Sequence, residues 1–281
     1  MSAAGRGALA GARDIAEACR VVLRTADPRE KAMTARAAAR MWRAGVLAHR
    51  FDVAMPATPT RPARPILLPP GRMPGRGRAG SPRSRIALLH AFAHIEQVAI
   101  DLAFDCAGRF GAGLPRAFID DWLAVGRDEA MHFALLDRRL RALGSAYGEL
   151  PAHDGLWEAA GKTAGDLLAR LAVVPMALEA RGLDVTPATV ARFEAAGDGR
   201  SAAILSRIYR DEIRHVATGT KWFATLCEGE GRAPADTWRM LLTTHANGLV
   251  RPPFNDSARR AAGLTLDYYG SLAAPQQGRQ G

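Results

Sequence analysis

The stretch RDEAMH at positions 127–132 is repeated as RDEIRH at positions 210–215. Each copy places a glutamate three residues before a histidine, so on a helix both side chains project from the same side. Such a pair offers one carboxylate oxygen and one imidazole nitrogen to a single metal ion. One copy alone would be weak evidence, because a surface glutamate near a structural histidine is common. The repetition makes four residues candidate ligands: Glu129, His132, Glu212 and His215.

A further glutamate precedes each copy at the same distance. The interval from Glu96 to Glu129 equals the interval from Glu179 to Glu212. Each candidate ligand of the first half therefore has a residue of the same type in the second half, at the same separation along the chain. Each half supplies one glutamate plus one Glu-x-x-His pair, which adds Glu96 and Glu179 to the candidate ligands.

The midpoints of both intervals fall where the chain should turn. They lie near Ala112 and Ala195, beside the glycine-containing segments at 111–113 and 196–199. Glycine and aspartate clusters of this kind mark turns. Residues equidistant from the turn of an antiparallel hairpin lie level with each other. The sequence therefore predicts two helical hairpins, each bringing its three candidate ligands together.

The apolar surroundings of Glu96 and Glu179 favour a metal site over a solvated surface. The two residues lie in HIEQV at 94–98 and MALEA at 176–180. A carboxylate on a buried helix face needs a cation or hydrogen bonds, or it takes up a proton. Four carboxylates and two imidazoles would balance two divalent ions with ligands that suit iron or manganese. The alternative, surface residues on long helices, leaves the matched spacing and the duplicated motif unexplained.

The rest of the chain predicts an all-α protein. Helical spacing of apolar residues, with caps such as Asp27 and Ser81, indicates helices at 14–24, 28–45, 82–109, 115–143 and 200–227, a mostly helical stretch to about 182, and a small helix after Pro187. Pro175 is expected to kink or break the stretch before residue 182. We divide the chain into an N-terminal helical hairpin (1–50), an extended Pro/Gly/Arg-rich strap (51–81), a di-metal bundle (82–249) and a C-terminal helical tail (250–281).

The order Glu, ExxH, Glu, ExxH on four helices resembles the ferritin-like di-metal carboxylate proteins. More narrowly, six segments are similar to a bacterial ferritin-like family catalogued only as a domain of unknown function: WRAG at 42–45, the Pro-rich strap, GSP at 80–82, LHAFAHIE at 89–96, LEARGLD at 178–184 and IYRDEIRH at 208–215. The likeness covers about residues 14–249. It implies a ferritin-like four-helix bundle and the six metal ligands, but no established reaction.

Four residues beside the predicted ligands are candidates for supporting roles. Asp128 and Asp211 lie four positions before the two histidines, where they can orient an imidazole or remain solvated acids. Tyr209 lies three residues before its glutamate, whereas the matching position in the other half is Gly126. This asymmetry is consistent with a pocket on the Gly126 side and a hydrogen-bonding or redox-active phenol, or with ordinary core packing of Tyr209.

The composition limits which cellular compartment and which binding partners can be expected. Cys19, Cys106 and Cys227 are single and widely spaced, which excludes a disulfide framework and a CxxC site and favours the cytoplasm. We expect neither a signal peptide nor a membrane span. The formal net charge of +10 is compatible with RNA, but nearly all of it is arginine, which is typical of GC-rich coding. Charge alone therefore identifies no partner.

Taken together, these features predict a protein with two metal ions, iron preferred and manganese or a mixed pair allowed. The favoured function is an oxygen-activating oxidase or hydroxylase with an unknown substrate and an electron donor. A tRNA-modifying hydroxylase of the same superfamily is an analogy at fold level only. The alternatives are a ferroxidase or peroxide-scavenging protein, and a non-catalytic protein in which metal braces a partner-binding bundle.

Overall fold

The computed structural model describes residues 7–272, and that range contains helices and no β-strand. The predicted helical fold class is confirmed. The helices are α1 Ile15–Arg24, α2 Pro28–Arg43, α3 Pro82–Phe110, α4 Arg116–Ala142, α5 Gly155–Lys162, α6 Leu167–Val173, α7 Ala180–Ala195, α8 Gly199–Gly229, α9 Pro234–His245, α10 Asp256–Ala261 and α11 Leu266–Tyr269. Single 3-10 turns occupy Pro70–Arg72 and Gly270–Leu272, and a π-helical segment occupies Val174–Glu179.

Local chemistry sets the starts of the early helices. Asp14 caps α1 by accepting the Glu17 N–H at 2.9 Å. Asp27 caps α2, whose first residue is proline, as predicted. Ser81 caps α3 in a reciprocal arrangement with Ser84, so the second predicted cap is also confirmed.

The chain folds as two compact units. The first ends at Gly161 and also includes Thr189–Ile204, whereas the second runs from Lys162 to Ala188 and resumes at Leu205. The first unit is built on the antiparallel hairpin of α3 and α4, against which α1 and α2 pack. Gly113 has a φ of +77°, so the turn between α3 and α4 uses a conformation that favours glycine.

A buried ionic cluster holds the strap, residues 51–81, against α2 and α3 of the first unit. Arg61 donates to the Asp101 carboxylate of α3 at 2.6 Å and to Gln97 at 3.1 Å. Lys31 of α2 pairs with the same Asp101, and the side chains of Lys31 and Asp101 are fully buried. Burial lowers the pKa of Lys31, although the Asp101 carboxylate opposes that shift. One carboxylate thus connects α2, α3 and the strap.

In the second unit, Pro175 interrupts regular α-helix as predicted. It lies in the π-helical segment, where its missing N–H leaves the α-helical pattern incomplete. The residue facing it on α8 is Gly219, and a Cβ there would lie 2.5 Å from the Pro175 Cβ. A glycine is therefore needed for the two segments to approach this closely.

The prediction of a separate small helix after Pro187 is wrong. Helix α7 is continuous, with Pro187 inside it. Proline cannot donate to the carbonyl four residues earlier, which here belongs to Leu183. The Asn255 side chain donates to that carbonyl at 3.1 Å instead. A residue far along the chain therefore supplies the hydrogen bond that the proline omits.

Helix α3 is the one described helix long and apolar enough to cross a membrane by length and composition. However, 67% of its most apolar window is buried within the protein. Burial of that extent is typical of a core helix in a soluble protein.

Candidate metal centre

The first unit brings three of the predicted ligands together. Glu96 projects from α3, and Glu129 and His132 project from α4. The His132 Nδ1 atom lies 3.1 Å from Oε2 of Glu96 and 3.2 Å from Oε2 of Glu129. The hairpin therefore sets the two glutamates level, as their equal distance from the turn predicted.

These three side chains are almost completely removed from solvent. Their exposed fractions are 2% for Glu96, 1% for Glu129 and 0% for His132. Burial raises the pKa of Glu96, and the neighbouring Glu129 carboxylate raises it further against the opposing influence of His132. For His132 burial acts to lower the pKa, but hydrogen bonds to Glu129 and Glu96 outweigh it and leave the pKa well above its usual value.

This arrangement has the chemistry of a metal site. The ligand atoms of Glu96, Glu129 and His132 all lie within 4.8 Å of one another, so one ion can reach all three. Two buried carboxylates this close are stabilised by a positive charge between them or by a proton on one of them. A protonated His132 supplies part of that charge, and a divalent cation would supply it fully while taking neutral imidazole as a ligand. A cluster of glutamate and histidine that can bind a metal ion is thus present.

The second unit holds the other three predicted ligands. Glu179 ends the π-helical segment, and Glu212 and His215 project from α8. The His215 Nδ1 atom lies 3.5 Å from Oε1 of Glu212. His215 is buried at 2% exposure, whereas the Glu212 side chain keeps 14% of its surface accessible. π-helical turns inside α-helices often occur at functional sites, which makes the position of Glu179 notable.

The two aspartates predicted to support the histidines form ion pairs with arginines. Asp128 accepts from Nη2 of Arg127 at 3.0 Å. Asp211 accepts from Arg207 and Arg214, each at 2.8 Å. Both carboxylates thus have partners within their own helices, and their role towards the imidazoles stays a prediction.

The residues at the two asymmetric positions have different surroundings. Tyr209 accepts a hydrogen bond from Nδ2 of Asn255 at 3.0 Å, which leaves its own hydroxyl proton available for donation. Gly126 is buried in the first unit, and a Cβ there would lie 2.6 Å from the ring of Phe104. The Phe104 ring therefore occupies the space beside Gly126, and glycine allows α3 and α4 to pack closely there.

A polar cluster around His90 and His94 of α3 has partners that the sequence did not identify. His94 of α3 contacts the Tyr147 hydroxyl through Nδ1 at 2.9 Å and the His153 carbonyl through Nε2 at 3.2 Å. His90, one turn earlier, stacks on Tyr147 with ring centroids 5.3 Å apart. The available signal was the pair of histidines one turn apart on an apolar helix. Their partners lie in the loop between α4 and α5, which has no helical period to place it.

The buried Lys31 was missed for a similar reason. It lies on the stripe of α2 that includes the buried residues Ala35, Ala38 and Trp42. A lysine on such a stripe signals a buried partner. The aspartate that pairs with it is on another helix, so the signal could have suggested a buried ion pair without naming Asp101.

Comparison with known proteins places the chain near others that have no assigned role. The family model described as "Protein of unknown function (DUF455)" matches residues 24–270. An uncharacterized protein of Haemophilus influenzae is 40% identical over 210 residues, which cover 73% of this chain and 73% of that protein. No solved structure matches the chain. The resemblance to a family of unknown function is therefore confirmed.

Proposed function

We propose that this chain, which belongs to the family described as "Protein of unknown function (DUF455)", is a ferritin-like di-metal carboxylate protein that acts as an oxidase or hydroxylase. The observation that carries the proposal is the buried cluster of Glu96, Glu129 and His132, in which two carboxylates share one imidazole nitrogen. A bound metal ion would compensate the charge of these two buried carboxylates and take the neutral imidazole of His132 as a further ligand.

The repeat extends this cluster to a site for two ions. One constant offset along the chain relates Glu96, Glu129 and His132 to a second set of the same residue types in the same order. We infer that each set supplies one glutamate and one Glu-x-x-His pair to a shared di-metal centre with iron or manganese. The second set consists of Glu179, Glu212 and His215.

The residues of the first set lie close enough to hold one ion, since their ligand atoms are within 4.8 Å of one another. Glu129 and His132 are one helical turn apart on α4, and Glu96 faces them from α3. Their burial excludes bulk water from the ligand atoms, which strengthens every charge interaction there. When bound, iron or manganese would supply the Lewis-acid and redox chemistry that reaction with dioxygen requires.

Neighbouring residues are assigned supporting roles in the proposal. Asp128 and Asp211 would orient the imidazoles of His132 and His215, which lie four residues later on the same helices. Tyr209 retains a hydroxyl proton that it can donate within the second unit. The substrate and the electron donor are unidentified small molecules or proteins, and a cytoplasmic location suits the three single cysteines.

The first experiment counts metal in the purified full-length protein. Iron, manganese and zinc per chain are measured by mass spectrometry for the parent and for Glu129→Ala and Glu212→Ala. About two ions per chain in the parent are expected, with a sharp fall in both variants. Glu158→Ala and Glu228→Ala, at exposed positions on α5 and α8, are matched controls that should keep the parent's metal content.

A second arm separates catalysis from structural bracing. The chemically reduced, metal-loaded protein is mixed with oxygenated buffer, and oxygen uptake is followed with an electrode. Uptake that disappears in Glu129→Ala supports an oxygen-reactive centre. A parent that binds two ions, consumes no oxygen and unfolds when they are chelated would leave only a structural role. Failure of the parent to bind iron or manganese after reconstitution would overturn the proposal as a whole.

A further inference from the structure

A cavity in the first unit lies between the strap, the start of α3 and the loop after α4. Its volume is about 330 Å³. The strap contributes Met73, Pro74, Gly75 and Arg76, helix α3 contributes Arg83, Ile86, Ala87, His90 and Ala91, and the loop contributes Leu150 and Pro151. Volumes of this size accommodate small-molecule ligands in other proteins.

Two guanidinium groups line the cavity without compensation. Within residues 7–272, neither Arg76 nor Arg83 forms a hydrogen bond or an ion pair. Two nearby arginines differ in having carboxylate partners: Arg61 binds Asp101, and Arg85 lies 3.8 Å from Asp198. The lining also contains no aspartate or glutamate. Two positively charged side chains thus line a space whose lining residues include no carboxylate.

His90 adds a hydrogen-bond donor to the same wall. The residue is 1% exposed, and its Nε2 accepts the Gly148 N–H at 2.9 Å. Because Nε2 is an acceptor, the neutral ring carries its proton on Nδ1. Among the described residues that Nδ1 has no hydrogen-bond partner. Burial lowers the pKa of His90 to about 4, so the ring is neutral near pH 7.

The remaining wall is apolar. Ile86, Ala87 and Ala91 form the α3 side, and Leu150 and Pro151 form the loop side. An inorganic ion would satisfy the two arginines but leave this surface in contact with water. A purely apolar molecule would cover the surface but leave both guanidinium groups and the His90 donor unpaired. The chemistry of the wall therefore selects a ligand that has both parts.

We propose that this cavity is a binding site for a small amphipathic anion, an acid group carried on a short apolar body. The acid group lies against Arg76 and Arg83, where charge-assisted hydrogen bonds are strong. The body covers Ile86, Ala87 and Leu150, and the strap closes over it through Met73 and Pro74. This site is separate from the proposed metal centre, because none of the six proposed metal ligands lines it.

Octanoate is the probe that tests the site. Isothermal titration of the full-length protein with octanoate should show saturable binding of one molecule per chain. Arg76→Ala and Arg83→Ala should each weaken binding about tenfold or more, as expected for loss of a charge-assisted hydrogen bond. Octan-1-ol, which lacks the charge, and acetate, which lacks the body, should both bind at least tenfold more weakly than octanoate.

Two further variants distinguish this cavity from general attraction to a basic surface. Arg72→Ala removes an exposed strap arginine that does not line the cavity, and it should leave octanoate binding unchanged. Ala87→Phe keeps both arginines but fills the space, and it should abolish binding while thermal unfolding shows a folded protein.

Three outcomes would overturn the proposal. They are an absence of saturable octanoate binding, equal binding by Ala87→Phe and the parent, or equal binding of octanoate and octan-1-ol. Repeating the titration with Glu129→Ala separates this site from the metal centre. That variant should bind octanoate like the parent even where its metal content has fallen, so each proposal can fail without the other.

Discussion

Arg259 occupies a position where a charged side chain is costly to place. It is 1% exposed, and its guanidinium carbon lies 4.7 Å from the ring centre of Phe254 and 4.8 Å from that of Tyr269. Its charge is balanced by Asp184, which accepts from Nε at 2.9 Å and from Nη2 at 2.7 Å. Two parallel hydrogen bonds of this kind combine strength with fixed geometry. The pair therefore holds α10 against α7 within the second unit.

Removing one charge of this pair should strongly destabilise the protein. We expect Asp184→Asn to lower the free energy of unfolding by about 3 kcal/mol or more, because the variant leaves Arg259 buried and uncompensated. The measurement is equilibrium urea unfolding followed by circular dichroism. Combining Asp184→Asn with Arg259→Gln should recover part of the loss, since neither charge then remains.

Arg181 provides the matched control for that prediction. It faces the same Asp184 at 3.5 Å, but its side chain is 34% exposed. Because solvent screens that pair, Arg181→Ala should cost only about 1 kcal/mol, including its hydrogen bonds to nearby carbonyls. Equal losses for Asp184→Asn and Arg181→Ala would contradict the view that burial sets the strength of the interaction.

At the level of the helix, α7 shows how a proline can be kept within a continuous element. Pro187 cannot donate to the Leu183 carbonyl, and a proline inside a helix costs about 3 kcal/mol in an isolated case. Here Asn255 donates to that carbonyl at 3.1 Å and to the Tyr209 hydroxyl at 3.0 Å. The compensation joins α7, α8 and the segment before α10 within one unit.

This account predicts that the effects of Asn255 and Pro187 are coupled. Asn255→Ala should lower the free energy of unfolding by about 2 kcal/mol, since a buried carbonyl loses its donor. With Pro187→Ala already present, the backbone N–H is restored, and the same Asn255→Ala change should cost about 1 kcal/mol less. A double-mutant cycle in urea measures the difference. Strictly additive effects would mean that Asn255 stabilises the protein through its other contacts, the cap at the start of α10 and the Tyr209 hydroxyl, and not by compensating Pro187.

The elements that could be predicted from the sequence are those with local causes. Asp27 with Pro28, and Ser81 with Pro82, are local capping signals, so the starts of α2 and α3 were predicted to the residue. The continuity of α7 could not be predicted, because it depends on Asn255, a residue of a later segment. Prediction therefore failed where a hydrogen bond crosses a long interval of chain.

The same distinction applies to the candidate site. Glu96, Glu129 and His132 could be grouped because residues at equal distances from a short hairpin turn lie opposite each other in the structure. The partners of His94 and Lys31 could not be named, because they depend on a loop and on packing between separate helices. The grouping of the second set of ligands with the first stays a prediction, which the metal analysis tests.

For the whole molecule, the net charge of +10 does not describe a uniformly basic surface. Several arginines compensate buried aspartates inside the units. Arg61 pairs with Asp101, and Arg139 pairs with Asp198 at 2.8 Å with its own side chain only 13% exposed. These pairs stabilise the fold and do not present charge to a partner. The arginines available for binding are those without such partners, and Arg76 and Arg83 are two of them that line one cavity.

The stability of the whole molecule should also depend on the buried His94. Its Nε2 faces the His153 carbonyl, which can only accept, so Nε2 carries the proton and Nδ1 accepts from the Tyr147 hydroxyl. Burial and, to a smaller extent, the nearby Arg61 charge lower the pKa of His94 to about 3. Protonation would place a buried charge beside Arg61 and break the hydrogen bond from Tyr147.

The sign of the effect follows from the pKa in each state. The unfolded chain protonates His94 near pH 6.5, whereas the folded protein does so only near pH 3. Between these values the unfolded state binds more protons, so stability falls as the pH is lowered through 6.5. From pH 7 to pH 5 the titration of His94 should lower the free energy of unfolding by about 2 kcal/mol, and above pH 7 this effect should vanish.

His94→Gln isolates this contribution, because glutamine can accept from Tyr147 and donate to the His153 carbonyl without titrating. Urea unfolding of parent and variant is measured at pH 7, 6 and 5 in the presence of a chelator, which removes any effect of metal binding. Between pH 7 and pH 5 the free energy of unfolding should fall by about 2 kcal/mol more in the parent than in the variant. Parallel pH profiles would show that the folded protein protonates His94 as readily as the unfolded chain. That result would contradict the assignment of a neutral, buried imidazole to His94.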